Sequence, residues 1–208
     1  MGKSIVQIID YGAGNIASVA NMIDYVGGIP VVVSSPDKLK CGVKILLPGV
    51  GAFDHGMTCL GEGGWLPVLE ECVQEKATLT LGICLGMQLM CRGSEEGQLG
   101  GLGWIDAFAR KFIFPPDSKF KVPHMGWNQV MHCQPDALVC NDPKIDQRFY
   151  FVHSYYVNCV REEDVILVCQ HGHKFVAGFR RDNIWGLQFH PEKSHKFGME
   201  VFRRFLEV

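Results

Sequence analysis

Short apolar runs alternate with helical patterns through the first half of the chain. Ile5–Ile9 is a β-like run that ends in Asp10-Tyr11-Gly12-Ala13-Gly14. Ile16, Val19, Ala20, Ile23 and Val26 then recur at helical spacing until Gly27-Gly28 stops them. Apolar runs at 31–33, at 43–47 (ending in Pro48-Gly49) and at 78–83 predict three more strands. Helical spacing returns over 66–73 and at Leu85, Leu89 and Met90. Strand–loop–helix units in series predict a mostly parallel sheet with helices on both faces, and such sheets hold their ligands at the carboxyl ends of the strands. The second half reads differently: 148–155, 165–169, 174–179 and 184–189 are strand-like with little helix between them. That predicts antiparallel additions to the sheet, closed by a helix over 196–206. Phe114-Pro115-Pro116-Asp117-Ser118 reads as a surface turn, and no repeat, low-complexity tract or linker interrupts the chain. One α/β domain over residues 1–208 is the expectation.

Composition narrows the function. With 47% hydrophobic residues in 208, the chain can build a sizeable core unaided. Twenty Lys and Arg against 22 Asp and Glu leave a net charge of −2, without the basic footprint of a nucleic-acid binder. Pro48 and Gly49 break the longest apolar stretch well short of a membrane span, so no membrane partner is expected. The nine cysteines are odd in number and form no CxxC, and the charged start of the chain does not read as an export signal. They are therefore expected to be reduced thiols in a cytoplasmic protein.

One of those cysteines has a special setting. Gly82-Ile83-Cys84-Leu85-Gly86 has the form of a nucleophile elbow, placed after an apolar strand and before a helix. Such a turn presses the backbone against its neighbours and leaves no room for Cβ atoms at the glycines. The alternative is a buried core cysteine with glycines that serve only the turn. A thiol nucleophile needs a base, and the base needs an orienting acceptor. In Phe189-His190-Pro191-Glu192, side chains two apart on extended backbone share a face, and Pro191 favours that extension at His190. His124, His153, His171 and His173 compete for the base role. No carboxylate or cysteine stands at metal-ligand spacing from His171-Gly172-His173, so no metal is expected. For an oxyanion hole, Leu85 offers one N–H, and Pro48-Gly49-Val50-Gly51-Ala52-Phe53 is the obvious second supplier. Gly12-Ala13-Gly14-Asn15 lacks the complete dinucleotide fingerprint, so no nucleotide cofactor is expected.

Taken together, these motifs resemble the class I (triad) glutamine amidotransferases. The matching text includes Asp10-Tyr11-Gly12-Ala13-Gly14-Asn15, Leu47-Pro48-Gly49-Val50-Gly51-Ala52-Phe53, Gly82-Ile83-Cys84-Leu85-Gly86-Met87-Gln88, Tyr150-Phe151-Val152-His153-Ser154-Tyr155 and Gln188-Phe189-His190-Pro191-Glu192-Lys193-Ser194. Lys121-Val122-Pro123-His124-Met125-Gly126-Trp127-Asn128 narrows the likeness to glutaminase subunits of the histidine pathway and their close paralogs. The resemblance implies a three-layer fold and a Cys84, His190, Glu192 triad that hydrolyses glutamine through a Cys84 thioester. It implies an oxyanion hole from Leu85, Val50 and Gly51, and glutamine contacts from Gly51, Gln88, His153, Ser154 and Tyr155. It also implies a heterodimer with a barrel-type cyclase (the synthase subunit), which receives the ammonia and makes imidazole glycerol phosphate. Gly12, Asn15, His124, Met125, Trp127, Tyr150 and Lys193 match partner-facing positions. In such proteins the isolated subunit is nearly inactive until the PGVG loop rearranges. Asp54-His55-Gly56-Met57, Glu62-Gly63-Gly64-Trp65 and Ser194-His195-Lys196-Phe197-Gly198-Met199 depart from the general pattern. They look like a paralog group that feeds ammonia to sugar amidotransferases in surface-polysaccharide synthesis. A stand-alone cysteine hydrolase is the remaining alternative.

Overall fold

The structure is a computed structural model that describes residues 3–140, 142 and 145–208. Four strands of its first half lie parallel: β1 (Ile5–Ile9), β2 (Ile29–Val33), β3 (Lys44–Gly49) and β4 (Thr80–Cys84). Between them come α1 (Ile16–Tyr25), α2 (Phe53–Glu62) and α3 (Trp65–Glu70), and α4 (Leu85–Leu89) follows β4 without a gap. The second half supplies β5 (Ala107–Lys111), β6 (His124–His132), β7 (Arg148–His153), β8 (Tyr155–Cys159), β9 (Val165–His171), β10 (His173–Arg181), β11 (Ile184–Leu187) and finally α5 (His195–Glu207). The spatial order is β2-β1-β3-β4-β11-β10-β9-β6-β7, with β8 and β5 branching from β10.

Alternation along the strands creates the layers. Ile45 and Leu47 pack with Phe53, Leu60, Leu69, Leu85 and Leu89 from α2, α3 and α4. Leu46 points the other way and joins Val19 and Ile23 of α1 and Val201, Phe202 and Phe205 of α5. The sheet thus carries helices on both faces, as expected.

Besides β5, which no run had marked, the structure adds three features that periodicity alone did not supply. First, α2 buries Phe53, Gly56, Met57 and Leu60, but a glycine at its contact with Leu89 breaks the apolar stripe. Second, the inward positions of β6 before Val130 are His124, Gly126 and Asn128 rather than aliphatic residues, so it carried no strand signal. Third, the expected run 148–155 is two strands, split at Ser154. The antiparallel expectation holds for most of the second half, but β11 is antiparallel to β10 and parallel to β4. It is the seam between the two halves.

The cysteine expectation needs correction. Cys41, just before β3, and Cys72, beyond α3, are joined in a disulfide across a Cα–Cα distance of 4.6 Å. The pairing is made by the fold, which brings together residues 31 apart in sequence. Among the described residues, no helix is long and apolar enough to cross a membrane.

The last helix constrains the site directly. A Cβ on Gly198 would stand 1.7 Å from the Pro191 carbonyl oxygen, so α5 can abut the 3₁₀ turn Pro191–Lys193 only through a glycine. Gly198→Ala is expected to cost about 1–3 kcal/mol of stability through overpacking. A lowered thermal midpoint would register it, and an unchanged one would mean that α5 slides without penalty.

Candidate active site

Three neighbouring parallel strands deliver the candidate residues to one edge. Gly49 and Cys84 are register partners at the carboxyl ends of β3 and β4, and Leu187 of β11 pairs with Ile83. Cys84 has φ 53° and ψ −107°, a conformation that L-residues avoid and that a nucleophile elbow requires. Both elbow glycines are obligatory for space. A Cβ on Gly86 would lie 1.9 Å from the Leu47 carbonyl oxygen, and one on Gly82 would lie 2.9 Å from the Gly86 carbonyl carbon. The turn thus has the backbone form of an elbow, with Cys84 itself 7% exposed at its apex.

His190 is 1% and Glu192 2% exposed in their side chains, and His190 Nδ1 lies 2.7 Å from Glu192 Oε1. That contact leaves Nε2, which has no hydrogen-bond partner of ordinary length among the described residues, as the ring's working nitrogen. Burial alone would depress the His190 pKa. The Cys84 thiol and the Glu192 carboxylate together overcome it and raise the pKa to about 10. The surrounding turn is tightly braced: Ser194 Oγ donates to the His190 carbonyl (2.6 Å) and accepts from the Tyr150 amide (3.0 Å), while the His190 amide donates to the Tyr150 carbonyl (2.9 Å).

The rival histidines are poorly suited to act as the base. Burial lowers His153 to about 3, a fall that its bond to the Tyr155 carbonyl opposes and nearby histidines reinforce. Burial also lowers His124 to about 4, helped by His171. Both stay neutral and are bonded to each other, His124 Nδ1 to His153 Nε2, at 2.9 Å. Among the described residues no three His, Cys, Asp or Glu side chains cluster as metal ligands.

A cavity of about 340 Å³ opens beside Cys84 and His190, within the size range of small-molecule sites. Val50, Gly51, Leu85, Gln88, His153, Ser154 and Tyr155 all line it, so the structure brings together every residue expected around the substrate. One expected oxyanion donor is turned away. The Val50 amide donates to the Ala13 carbonyl at 3.2 Å, because the loop after β1 lies against the end of β3. Two lining or supporting residues escaped the sequence reading. Glu96 reaches the cavity while accepting a 2.8 Å bond from the Phe53 amide at the start of α2; nothing in its sequence surroundings marked it. Gln188, fully buried, donates to Cys84 Sγ at 3.7 Å. The two-residue periodicity that joined His190 to Glu192 would have placed it on the same face.

The expected partner-facing residues divide unevenly. Met125 (62% exposed) and Trp127 (47%) form an apolar surface, with Lys193 Nζ 6.0 Å from the Tyr150 ring centre and Trp127 stacked on His195. Gly12 is exposed and Asn15 half-buried. His124 is the exception: β6 turns it inward, and it is only 4% exposed against His153. Asp54, one of the departures from the general pattern, has a local explanation. Its carboxylate accepts from the Gln98 and Leu99 amides and so ties the Glu96 loop to α2.

This architecture and site fall within a known class, and residues 7–208 match the family model of the class I glutamine amidotransferases. The chain belongs to that family. Among its relatives, the imidazole glycerol phosphate synthase subunit HisH 2 of Pseudomonas aeruginosa is 47% identical over 98% of this chain and 100% of its own length. The protein of the same name from Methanococcus maripaludis is 45% identical over 98% and 99%. The HisH subunit of Leptospira interrogans is 42% identical over 98% and 100%. The solved structure of PurLQS from Thermotoga maritima shares the fold with a TM-score of 0.75 at 19% identity, covering 99% of both chains. A glutamine amidotransferase from the same organism gives 0.62 at 18%, covering 100% of this chain and 85% of its own.

Proposed function

We propose that the chain is a glutaminase subunit that hydrolyses L-glutamine to glutamate and ammonia and passes the ammonia to a barrel-type cyclase making imidazole glycerol phosphate. The observation that carries this reading is the buried His190–Glu192 pair beside an elbow cysteine, in a chain aligned end to end with subunits bearing the HisH name.

The proton of the Cys84–His190 pair rests on His190, whose pKa of about 10 favours the ion pair, and the Cys84 thiolate attacks the carboxamide carbon of glutamine. The tetrahedral oxyanion is held by the Leu85 amide and by Val50 or Gly51. His190 returns its proton to the departing nitrogen, and ammonia leaves a thioester. Water, deprotonated by His190, then attacks the thioester and releases glutamate. Glu192 remains ionised and holds the imidazole in orientation. Glu96 complements the α-ammonium group of the substrate. Gln88 spends its amide hydrogens on protein acceptors and presents its oxygen to the ligand.

The Val50–Ala13 bond supports dependence on a partner. Ala13 lies between Gly12 and Asn15 on the expected docking face, so a partner seated there shifts the Ala13 carbonyl and frees the Val50 amide. The Met125 and Trp127 surface suits such a docking. The cytoplasm is the compartment assigned by this reading, where the Cys41–Cys72 pair meets a reducing pool.

Mixing the chain with the cyclase should raise its glutaminase rate and yield glutamine-dependent imidazole glycerol phosphate. If a sugar amidotransferase raises the rate and the cyclase does not, the acceptor is the sugar. Peptidase activity of the isolated chain, with no response to either partner, would replace the proposal with a stand-alone hydrolase.

A further inference from the structure

Gln188 is fully buried, two residues before His190, and its backbone is fixed by a 2.9 Å bond from its amide to the Ala177 carbonyl. Its side chain stands between two groups of the site. Gln188 Oε1 accepts from Gln88 Nε2 at 3.1 Å, and Gln188 Nε2 donates to Cys84 Sγ at 3.7 Å. The direction of these bonds follows from one main-chain carbonyl. Tyr155 O can only accept, so the Gln88 end that lies 3.1 Å from it must be the nitrogen. That nitrogen also meets Gln188, which must therefore present its oxygen to Gln88 and its nitrogen to Cys84.

The same carbonyl orients a second arm. His153 Nδ1 lies 2.8 Å from Tyr155 O and must donate, so His153 Nε2 accepts from His124 Nδ1. His124 Nε2 in turn accepts from Asn128 Nδ2, whose nitrogen is independently fixed by a 2.9 Å bond to the Gln170 carbonyl. Neither arm can reverse without leaving a buried donor facing a donor.

We propose that Gln188 is a fourth member of the catalytic machinery, the hydrogen-bond donor that holds Cys84 Sγ and stabilises its thiolate. This rests on the glutaminase reading and extends it. A thiolate in a buried site needs a donor as well as a cation, and charge-assisted hydrogen bonds are stronger than neutral ones. His190 supplies the cation from one side and Gln188 the amide donor from another. The donor cannot rotate away, because its carbonyl end is anchored through Gln88 to Tyr155.

The test uses the full-length chain, alone and with the cyclase. Labelling of Cys84 by 6-diazo-5-oxo-L-norleucine and by iodoacetamide is followed by peptide mass mapping, since six other cysteines are free. Gln188→Glu keeps an acceptor for Gln88 and removes the donor to sulfur; Gln188→Asn is neutral and withdraws the donor by one carbon. Both should slow labelling by about tenfold or more at neutral pH. Both should move the midpoint of its pH profile upward, with kcat falling more than KM rises. His190 and Tyr11, the titratable groups that influence Cys84 from other elements, are unchanged in both variants. Wild-type rates and midpoints in either folded variant would overturn the inference while leaving glutaminase chemistry intact. A wild-type complex in which the glutamine analogue never labels Cys84 would instead remove the glutaminase reading, and this inference with it.

Discussion

Cys84→Ala should reduce the glutamine-dependent activity of the reconstituted complex by about 10⁴-fold or more, the scale seen when a triad nucleophile is removed. Synthesis from added ammonium salts should continue at the wild-type rate, because the acceptor chemistry lies on the partner. The substitution removes only a sulfur from a residue that is 7% exposed. Its backbone cost is small, since alanine meets the same resistance to positive φ that cysteine already meets there. Glutamine-dependent turnover that survives in the variant would mean that the nucleophile lies elsewhere. Loss of both activities would point instead to failed assembly.

Glu192→Gln is expected to lower turnover by up to about 10⁴-fold, as when the orienting carboxylate of a triad is made an amide. It should also change how stability depends on pH. The folded chain holds the His190 proton with a pKa of about 10, against an ordinary value of 6.5. Between these values the folded state binds more protons than the unfolded state, so raising the pH destabilises it. The contribution is complete below about pH 6.5 and is lost as the pH rises toward 10. Thermal midpoints of the wild type should therefore fall across that window, and those of Glu192→Gln should fall less. Parallel curves for the two proteins would show that the carboxylate does not hold the His190 proton.

The contrast between legible and hidden features has a physical basis. The β1, β3 and β4 runs are buried on both sides of the sheet and read as continuous aliphatic sequence. The elbow was legible because its glycines answer to steric demands that no other residue meets. His190 and Glu192 were legible because extended backbone puts alternate side chains on one face. β6 was not, because its inward face carries His124 and Asn128, stabilised by hydrogen bonds rather than by apolar packing. His124 was expected at the partner face from the family resemblance, and the chain buries it against the His153 ring opposite. Glu96 was hidden because its place depends on Asp54, more than forty residues earlier, gripping the loop that follows it. The Val50 amide was assigned to the oxyanion from motif alone, and its competing acceptor, Ala13, lies on a different strand end.

The seam strand has a consequence for synthesis of the chain. β11 lies between β4 and β10, yet it comprises residues 184–187 of 208. Until residues 184–187 are made, β4 has one edge without its partner strand, and Cys84 at its tip lacks His190 beside it. An open edge on an aliphatic strand invites pairing with other chains. β11, the His190–Glu192 pair and α5 follow one another in the chain, so one late stretch supplies the missing strand, the proposed base and the covering helix together. A premature stop anywhere before residue 184 would yield an edge-exposed, inert fragment fit for aggregation or proteolysis.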